Sequence, residues 1–220
     1  MLTRDILKTN NSIADSFIKE YNYPYEIIPN IKDIIIKIGN TLNNDYIKKE
    51  DNIWIHKTAN ISNNVEIHGP CIIDEYAELR HNAFIRGSAI IGKHAVFGNS
   101  CEIKNSILYD KVQIPHFSYI GDSIIGYKSH FGASSLTSNL KSNKTNIIIK
   151  EDNNTYDTKL NKMGSIIGDN VEIGCGTILN PGTIIYSNTQ VYPLLSIRGV
   201  IKENKIVKNI NNIVEKENRS

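Results

Sequence analysis

Long apolar runs and net charge are both scarce in this sequence of 220 residues. No run approaches the roughly 20 apolar residues that a membrane-spanning helix needs, and residues 1–10 lack the apolar core of a signal peptide. The formal charge of +2 gives no reason to expect nucleic acid or a membrane surface as a partner. We therefore expect a cytoplasmic protein that binds neither.

Cysteine is scarce as well. The three cysteines, Cys71, Cys101 and Cys175, have no partners at the spacing of a disulfide framework or a zinc motif. The sequence therefore predicts no disulfide and no metal site.

A period of six residues dominates the middle of the chain. An aliphatic or aromatic residue stands at every sixth position: Ile55, Ile61, Ile67, Ile73, Leu79, Ile85, Ile91, Phe97 and Ile103. A small or β-branched residue stands two positions before most of these, as Ala77, Ala83, Ala89 and Ala95 show; Cys71 and Cys101 share that position, so we expect them to be buried thiols. Such a period is typical of a hexapeptide β-helix, in which three hexads close one triangular coil. Successive coils then lie roughly 4.8 Å apart and their inward side chains stack. The sequence predicts an all-β, parallel β-helix, called the prism below.

The period shifts by one residue after Ile103 and again after Ile120, and it stops after Phe131. It returns at Ile167 and continues to Val191. We therefore predict a helical N-terminal cap over residues 1–52, the prism over residues 53–197 with an excursion loop at 137–164, and a C-terminal tail over residues 198–220.

Two helices are predicted in the cap, over residues 12–21 and 30–40. In the second, Asn30 is the N-cap and Ile31, Ile34, Ile35 and Ile38 share one face. We expect this helix to pack across the open end of the prism or against a neighbouring chain, because the first coil would otherwise expose unpaired strand edges. The tail is predicted to be a polar surface segment with a helical stretch near residues 210–215.

A prism of this kind does not specify a function, since it serves acyltransferases, carbonic anhydrases and scaffolds. The polar segments at 77–80, 101–105, 115–122, 123–126 and 132–133, and the loop ends at 137–141 and 162–169, carry a resemblance. They resemble the acetyltransferase domain of the bifunctional enzyme that makes UDP-N-acetylglucosamine, and stand-alone prism proteins related to sugar-phosphate nucleotidyltransferases. The resemblance spans about residues 20–205 and implies a left-handed β-helix and a homotrimer.

The resemblance implies transfer of an acetyl group from acetyl-CoA to the amine of an amino-sugar phosphate such as glucosamine 1-phosphate. By it, His116 corresponds to the catalytic base. Arg80 and Lys104 correspond to sugar-phosphate ligands, and Tyr119 and Asn139 to further substrate contacts. Ala133 corresponds to a backbone contact near the thioester, and Cys175 is a further candidate for the coenzyme. In a trimer, we expect Arg80 and His116 of one chain to work with the 137–164 loop or the C-terminal coils of another. Arg198 and Lys202 are then candidates for the phosphates of coenzyme A.

The chain departs from that family at three points. His130 stands where the family has Asn, and Leu140 where it has Tyr. Residues 1–52 contain no Gly-rich nucleotide loop, so we do not expect uridylyl transfer by this chain alone.

The chemistry independently suits these residues. An amino sugar arrives largely as an ammonium ion, so its attack on a thioester needs a base near neutral pKa, for which histidine is suited. Backbone N–H groups of a turn near Gly132–Ala133 could stabilise the oxyanion. Counting hexads puts Arg80, His116 and Ala133 along one edge of the prism, with Arg80 and His116 on the order of 10 Å apart.

Two other functions are compatible with a prism. A prism-shaped carbonic anhydrase holds its metal with three histidines; His81 and His116 provide the long gap, but Gly121 stands where the closely spaced third histidine is needed. The other alternative is a non-catalytic protein that binds a sugar nucleotide or serves as the structural partner of a nucleotidyltransferase.

Overall fold

Three parallel sheets form the sides of the prism in the computed structural model, which describes residues 1–8 and 10–217. Each coil adds one short strand to each sheet. Inward residues pair one coil apart, as Ile55 does with Ile73 and Ile73 with Ile91. The predicted fold class, an all-β, left-handed parallel β-helix, is confirmed.

The strands are grouped here by sheet. The first face contains Tyr46–Lys49, Ile53–His56, Cys71–Ile73, Ala89–Ile91, Ser106–Leu108, Ile124–Ile125, Ser165–Ile167, Thr183–Ile185 and Val200–Ile201. The second face contains Asn60–Ile61, Glu78–Leu79, Val96–Asn99, Gln113–His116, His130–Phe131, Glu172–Ile173, Gln190–Val191, Lys205–Asn209 and Asn212–Glu215. The third face contains Glu66–Ile67, Phe84–Ile85, Glu102–Lys104, Tyr119–Gly121, Leu136–Thr137, Ile178–Leu179 and Ser196–Ile197.

Short helices precede the prism. The α-helices are Thr3–Ile6, Asp15–Ile18 and Ile31–Gly39, and the 3-10 helices are Pro24–Glu26, Ile28–Asn30 and Glu50–Asn52. The helix predicted at 30–40 is confirmed, and the four isoleucines predicted on one face are buried. Asn30 is at the N-cap position, but its side chain makes no capping hydrogen bond. The helix predicted at 12–21 is confined to the single turn Asp15–Ile18.

The first face is buried on both sides, and this explains where the cap lies. Its strands carry a second apolar side chain that alternation points outward, and these outward residues are nonetheless fully buried: Ile72, Ile90, Ile107, Ile124, Ile166 and Ile184. The helix Ile31–Gly39 packs on the strands Cys71–Ile73 and Ala89–Ile91. The expectation that this helix closes the open end of the prism is therefore wrong; it covers the side of the prism, because that is where the apolar surface lies.

The excursion loop completes this cover. Its strands Ile148–Glu151 and Asn154–Asp157 form an antiparallel hairpin that packs near Val200–Ile201 at the end of the first face. Ile147 and Ile149 of the loop are buried, and Ile147 closely approaches Gly182 of the prism. The predicted excursion is thus an ordered hairpin on the first face.

Two predicted boundaries differ from the structure. Thr137 is part of the prism, stacked between Ile120 and Leu179, so the excursion begins after it. At the other end, Ile201 pairs with Ile185 and Val207 with Val191. The prism therefore continues past Ile197, and the predicted tail is wrong for the described residues up to 217.

The reason for the second difference is a short corner. Only three residues separate the inward Ile197 from the inward Ile201, so a count by sixes loses the register there. The helix predicted near residues 210–215 is also wrong, because Asn212–Glu215 pairs antiparallel with Lys205–Asn209. Residues 218–220 of the predicted tail lie outside the described residues.

We predict that Ile90→Ala lowers the free energy of unfolding by about 2–5 kcal/mol, because it opens a cavity between the first face and its cover. The matched control is Ile178→Ala, which removes an outward isoleucine on the third face that is 41% exposed, and should cost about 1 kcal/mol or less. Urea unfolding monitored by circular dichroism measures both. Equal losses for the two variants would show that the first face is not covered as described.

Candidate active site

The corner between the second and third faces holds His116 and Ala133. His116 ends the strand Gln113–His116, its side chain is exposed, and the described residues supply its imidazole with no hydrogen bond. Ser134, on the next coil, donates its backbone N–H to the His116 carbonyl at 3.1 Å, so Ala133 lies directly beside His116. The carbonyl of Ala133 accepts from Gly176, and its N–H makes no hydrogen bond among the described residues. A free imidazole and a free backbone donor are therefore one coil apart.

Arg80 lies at this same corner, as the hexad count predicted, but below His116 by two coils. The stack runs from Leu79 through Phe97 to Ile114. The Arg80 Nε donates to Glu78 Oε1 at 2.8 Å on its own strand. Arg80 is thus separated from Lys104, which lies across the third face, and the two cations do not form one phosphate site.

The cation that does accompany Lys104 is Arg86. Ile85 pairs with Ile103, so Arg86 directly precedes Lys104 in one outward column of the third face. Arg86 donates from Nη1 to Glu102 Oε1 at 2.6 Å. Sequence reasoning missed Arg86; the signal that could have found it is the spacing of one full coil from Lys104.

Tyr119 lies flat on the third face above this column. A Cβ on Gly121 would come within 2.7 Å of Tyr119 Cε1, so only glycine there lets the ring lie along the sheet. Asn139 donates from Nδ2 to the Tyr119 hydroxyl at 3.1 Å. Burial raises the pKa of Tyr119, and the Asp122 and Glu102 carboxylates add to the rise. The phenol therefore stays protonated at neutral pH and can donate a hydrogen bond to a ligand.

Asp122 organises this part of the site. Its carboxylate is nearly buried and accepts Nδ2 of Asn105 at 2.8 Å and Nδ2 of Asn139 at 2.5 Å. The Asn105 amide also donates to the carbonyl of Ile28 in the cap, at 3.2 Å. Asp122 thus joins the cap, the prism and the start of the excursion loop, and it holds Asn139 against Tyr119.

The two shifts of the hexad period shape the corner between the third and first faces, where Asn105 and Asp122 lie. Five residues, instead of six, lead from Ile103 to Leu108 and from Ile120 to Ile125. Each shortened corner turns on a single left-handed residue, Asn105 with φ 47° and Asp122 with φ 48°. Asn and Asp tolerate this backbone conformation better than other non-glycine residues. The same two residues therefore make the turn and the hydrogen-bond network.

Lys202 lies away from His116 of its own chain. It follows Val200–Ile201 on the first face, and its ammonium pairs with Glu151 and Asp152 of the excursion hairpin, both at 2.8 Å. Tyr186 donates to the same Glu151 carboxylate at 2.7 Å. Lys202 is thus a structural cation that fastens the hairpin to the prism.

Arg198 and Cys175 are both exposed. Arg198 lies at the corner between the third and first faces, in a groove that Lys141 and Lys150 of the excursion loop also line. Cys175 lies one coil beyond Ala133 at the His116 corner, with Sγ close to Gly132. The other two cysteines are buried as predicted, and burial raises the pKa of the Cys71 thiol to about 12.

The two residues that depart from the family pattern lie on the second face and at the base of the excursion loop. His130 lies on the second face, where its Nδ1 is 3.0 Å from Glu172 Oε2. Leu140 is partly exposed and bridges to Lys162 across the base of the excursion loop. Within residues 1–8 and 10–217, no three His, Cys, Asp or Glu side chains converge as a metal site. No helix in the described part of the chain has the length and apolarity to cross a membrane.

Comparison with protein families gives a match to the GMPPB C-terminal domain over residues 67–207, which is more than half of the chain. The chain belongs to this family. The matched residues contain the corner of His116 and Ala133 and the third-face column of Arg86 and Lys104.

Curated relatives confirm the resemblance read from the polar segments. "Bifunctional protein GlmU" of Methanococcus maripaludis is 42% identical over 94 residues, which are 43% of this chain and 23% of that protein. The protein of the same name from Wigglesworthia glossinidia brevipalpis is 33% identical over 202 residues, 86% of this chain and 40% of the relative. A "Bifunctional sugar-1-phosphate nucleotidylyltransferase/acetyltransferase" of Sulfurisphaera tokodaii is 30% identical over 159 residues, 64% of this chain and 40% of the relative. The chain therefore spans only 23–40% of the length of these relatives.

Among solved structures, the polySia-specific acetyltransferase NeuO has the same fold. It superposes with a TM-score of 0.50 and 13% sequence identity, covering 71% of this chain and 77% of NeuO. At this identity the likeness concerns the fold alone.

We predict that Asp122→Asn lowers the free energy of unfolding by about 1–3 kcal/mol. The new side-chain NH2 group would face the NH2 group of Asn105 or Asn139, so one of the two hydrogen bonds that the carboxylate accepts would be lost. Asn keeps the left-handed backbone, so the loss reports the network. The control Asp157→Asn changes a carboxylate on the exposed hairpin and should leave the free energy of unfolding nearly unchanged. Urea unfolding compares them, and indistinguishable midpoints would rule out the role given to Asp122.

Proposed function

We propose that this chain is an acetyl-CoA-dependent N-acetyltransferase that acts on an amino-sugar phosphate of the glucosamine 1-phosphate type. One observation carries the proposal. A free imidazole and a free backbone N–H, on His116 and Ala133, border the same exposed third face that holds the Arg86–Lys104 column. The curated relatives, which include a bifunctional sugar-1-phosphate nucleotidylyltransferase/acetyltransferase, support the same reaction class.

In the proposed reaction, the amine nitrogen of the sugar attacks the carbonyl carbon of the thioester. The ammonium first loses one proton to solvent. His116 takes a second proton from the nitrogen as the C–N bond forms, and the C–S bond then breaks. The thiolate of coenzyme A leaves and receives that proton from His116, which restores the neutral imidazole. The N–H of Ala133 would donate a hydrogen bond to the transient oxyanion. Backbone donors aimed at this oxygen lower the barrier of acyl transfer. Tyr119, kept protonated, would donate to a hydroxyl of the sugar.

The phosphate of the acceptor is assigned to Arg86 and Lys104. Both lie on the third face, at its far side from His116, so an elongated sugar phosphate can place its amine and its phosphate at opposite sides of the face. The Arg86 guanidinium is now paired with Glu102, and a phosphate would compete for it. Arg80, which pairs with Glu78 at the His116 corner, is not assigned a substrate role.

The coenzyme is assigned to the His116 corner. Ala133 and the exposed Cys175 lie there on successive coils of the prism. Within one chain Arg198 lies at the other corner of the third face, so Arg198 of a neighbouring chain, with Lys141 and Lys150 beside it, is the candidate for the coenzyme's phosphates. Lys202, whose ammonium pairs with Glu151 and Asp152, is not a candidate. Among residues 1–8 and 10–217, no segment covers the third face as the cap and the hairpin cover the first. We propose that a homotrimer supplies it, with a neighbouring prism enclosing the substrates.

A binding protein without turnover is the second candidate. The replacement of the family's Asn and Tyr by His130 and Leu140 favours it, because the His130 imidazole contacts Glu172 and leucine has no hydroxyl to offer a substrate. Tight binding of acetyl-CoA without release of free thiol, for any amino-sugar phosphate, would support this candidate.

We predict that His116→Ala lowers kcat/KM by about 10²–10⁴, the usual contribution of a general base. Release of free thiol from acetyl-CoA with glucosamine 1-phosphate as acceptor measures it. The matched control is His94→Ala, which removes an exposed histidine stacked on Tyr76 at another corner and should leave the rate unchanged. A His116→Ala variant with native activity would exclude His116 as the base.

Arg86→Ala and Lys104→Ala should each raise the KM for the sugar phosphate about 10- to 100-fold with little change in kcat, since each removes a charge-assisted hydrogen bond. The KM for acetyl-CoA should not change. Lys37→Ala, on the exposed side of the cap helix, is the control. A large rise of the KM in Arg80→Ala, with no change in Arg86→Ala, would contradict this assignment. It would show that the phosphate of the acceptor binds at the His116 corner.

A further inference from the structure

The groove beside Arg198 has a volume of about 380 Å³ and lies between the excursion hairpin and the last coils of the prism. Arg198 and Gly199 line it from the prism, and the strand Ile148–Glu151 lines it from the hairpin. This volume is within the range of small-molecule sites. The chemistry of its lining indicates which part of a ligand it holds.

The lining is strongly cationic. Arg198, Lys141 and Lys150 all border the groove, and the lining residues that the structure describes include no Asp or Glu. Within residues 1–8 and 10–217, none of these three cations has a salt bridge, and Lys141 donates to the backbone carbonyl of Asn146 at 2.5 Å. Three cations around one groove without a carboxylate favour a ligand with several negative charges.

An apolar strip runs beside the cations. Strand alternation turns Ile149 inward, where it is buried, and turns Ile148 and Lys150 outward together. Ile148 is 44% exposed and lines the groove with Pro181. A Cβ on Gly199 would meet no atom within 4 Å, so the groove is open at this point. The groove therefore offers apolar surface to a ring and positive charge to phosphates attached to that ring.

We propose that this groove binds the adenosine 3′,5′-bisphosphate end of coenzyme A, an inference that rests on the proposed acyl transfer. The adenine would lie against Ile148 and Pro181. The phosphates would meet the three cations, with Arg198 binding phosphate oxygens in a fork. The excursion hairpin would then have a function of its own, since it supplies two of the cations' neighbours and one side of the adenine site.

The position of the groove along the prism suits this ligand. The third-face column that starts in the coil of His116 runs through Ile120, Thr137, Leu179 and Ile197. Arg198 therefore lies three coils beyond His116, on the order of 15 Å along the axis. If prisms stand side by side in one direction, a coenzyme held in the groove of one chain can extend its pantetheine arm to His116 of a neighbouring chain.

The test is binding of adenosine 3′,5′-bisphosphate to the full chain, measured by calorimetry, because this probe needs neither a thioester nor turnover. AMP, inorganic pyrophosphate and UDP are separate arms. We expect each of them to bind at least tenfold more weakly than the bisphosphate, and bisphosphate binding to weaken as salt is added. Absence of binding at millimolar concentration, or equal binding of pyrophosphate, would overturn the proposal. Equal binding of UDP would also overturn it, because the groove would then suit a nucleotide-linked acceptor.

Variants locate the ligand. Arg198→Ala and Lys150→Ala each remove an exposed cation and should weaken bisphosphate binding at least tenfold. Ile148→Ala should weaken it about three- to tenfold and leave pyrophosphate binding unchanged, because pyrophosphate has no base. The control Lys162→Ala removes an exposed cation of the same loop outside the groove and should bind normally. Native affinity in both Arg198→Ala and Lys150→Ala would refute the inference.

Failure of the groove and failure of the proposed reaction give different results. Bisphosphate binding that the groove variants weaken, without acetylation of glucosamine 1-phosphate, would support the groove and refute the reaction. Acetylation with an unchanged KM for acetyl-CoA in Arg198→Ala and Lys150→Ala would refute the groove and leave the reaction standing.

Discussion

Parallel stacking from coil to coil is the constraint on which this molecule depends. Each inward side chain rests on the residue one coil earlier, as Ile73 rests on Ile55 and Ile120 on Ile103. Outward side chains consequently line up in columns as well. A functional group placed once at a corner has fixed neighbours above and below it, and for this reason His116 and Ala133 are adjacent, and Arg86 and Lys104 are adjacent.

The same constraint explains what the sequence could predict. Where inward residues recur at every sixth position, the period fixes both fold and register, so the prism and the shared edge of Arg80, His116 and Ala133 were predictable. The prediction fails where a corner is shorter. The corner at Arg198–Gly199 lies between inward residues only four positions apart. A pattern that requires a spacing of six therefore does not detect the coils beyond it.

Other features depend on contacts that a repeat pattern does not contain. The paired isoleucines of the first-face strands indicate burial on both sides, but the identity of the cover depends on how residues 1–40 fold. The Lys202–Glu151 pair likewise depends on the excursion hairpin lying on the first face. The resemblance along the chain indicates Arg80, whereas one coil before Lys104 in the structure stands Arg86.

The cover and the candidate site are coupled through one network. The carbonyl of Ile28 in the cap accepts from Asn105, whose amide also donates to Asp122, and Asp122 accepts from Asn139 beside Tyr119. The cap that buries the first face therefore also helps to hold polar side chains in position on the third face. A hydrogen-bonded corner of this kind keeps Asn139 in place although the chain leaves the prism immediately after Thr137.

The most direct measurement is the fate of a labelled acetyl group. The protein is incubated with acetyl-CoA carrying an isotopic label in the acetyl group and with glucosamine 1-phosphate, and the products are separated and analysed by mass spectrometry. The account predicts one labelled acetyl group on the amine nitrogen of the sugar, in an amide bond, formed by the native protein and not by His116→Ala. Label that remains on coenzyme A, or appears only as free acetate, would contradict it.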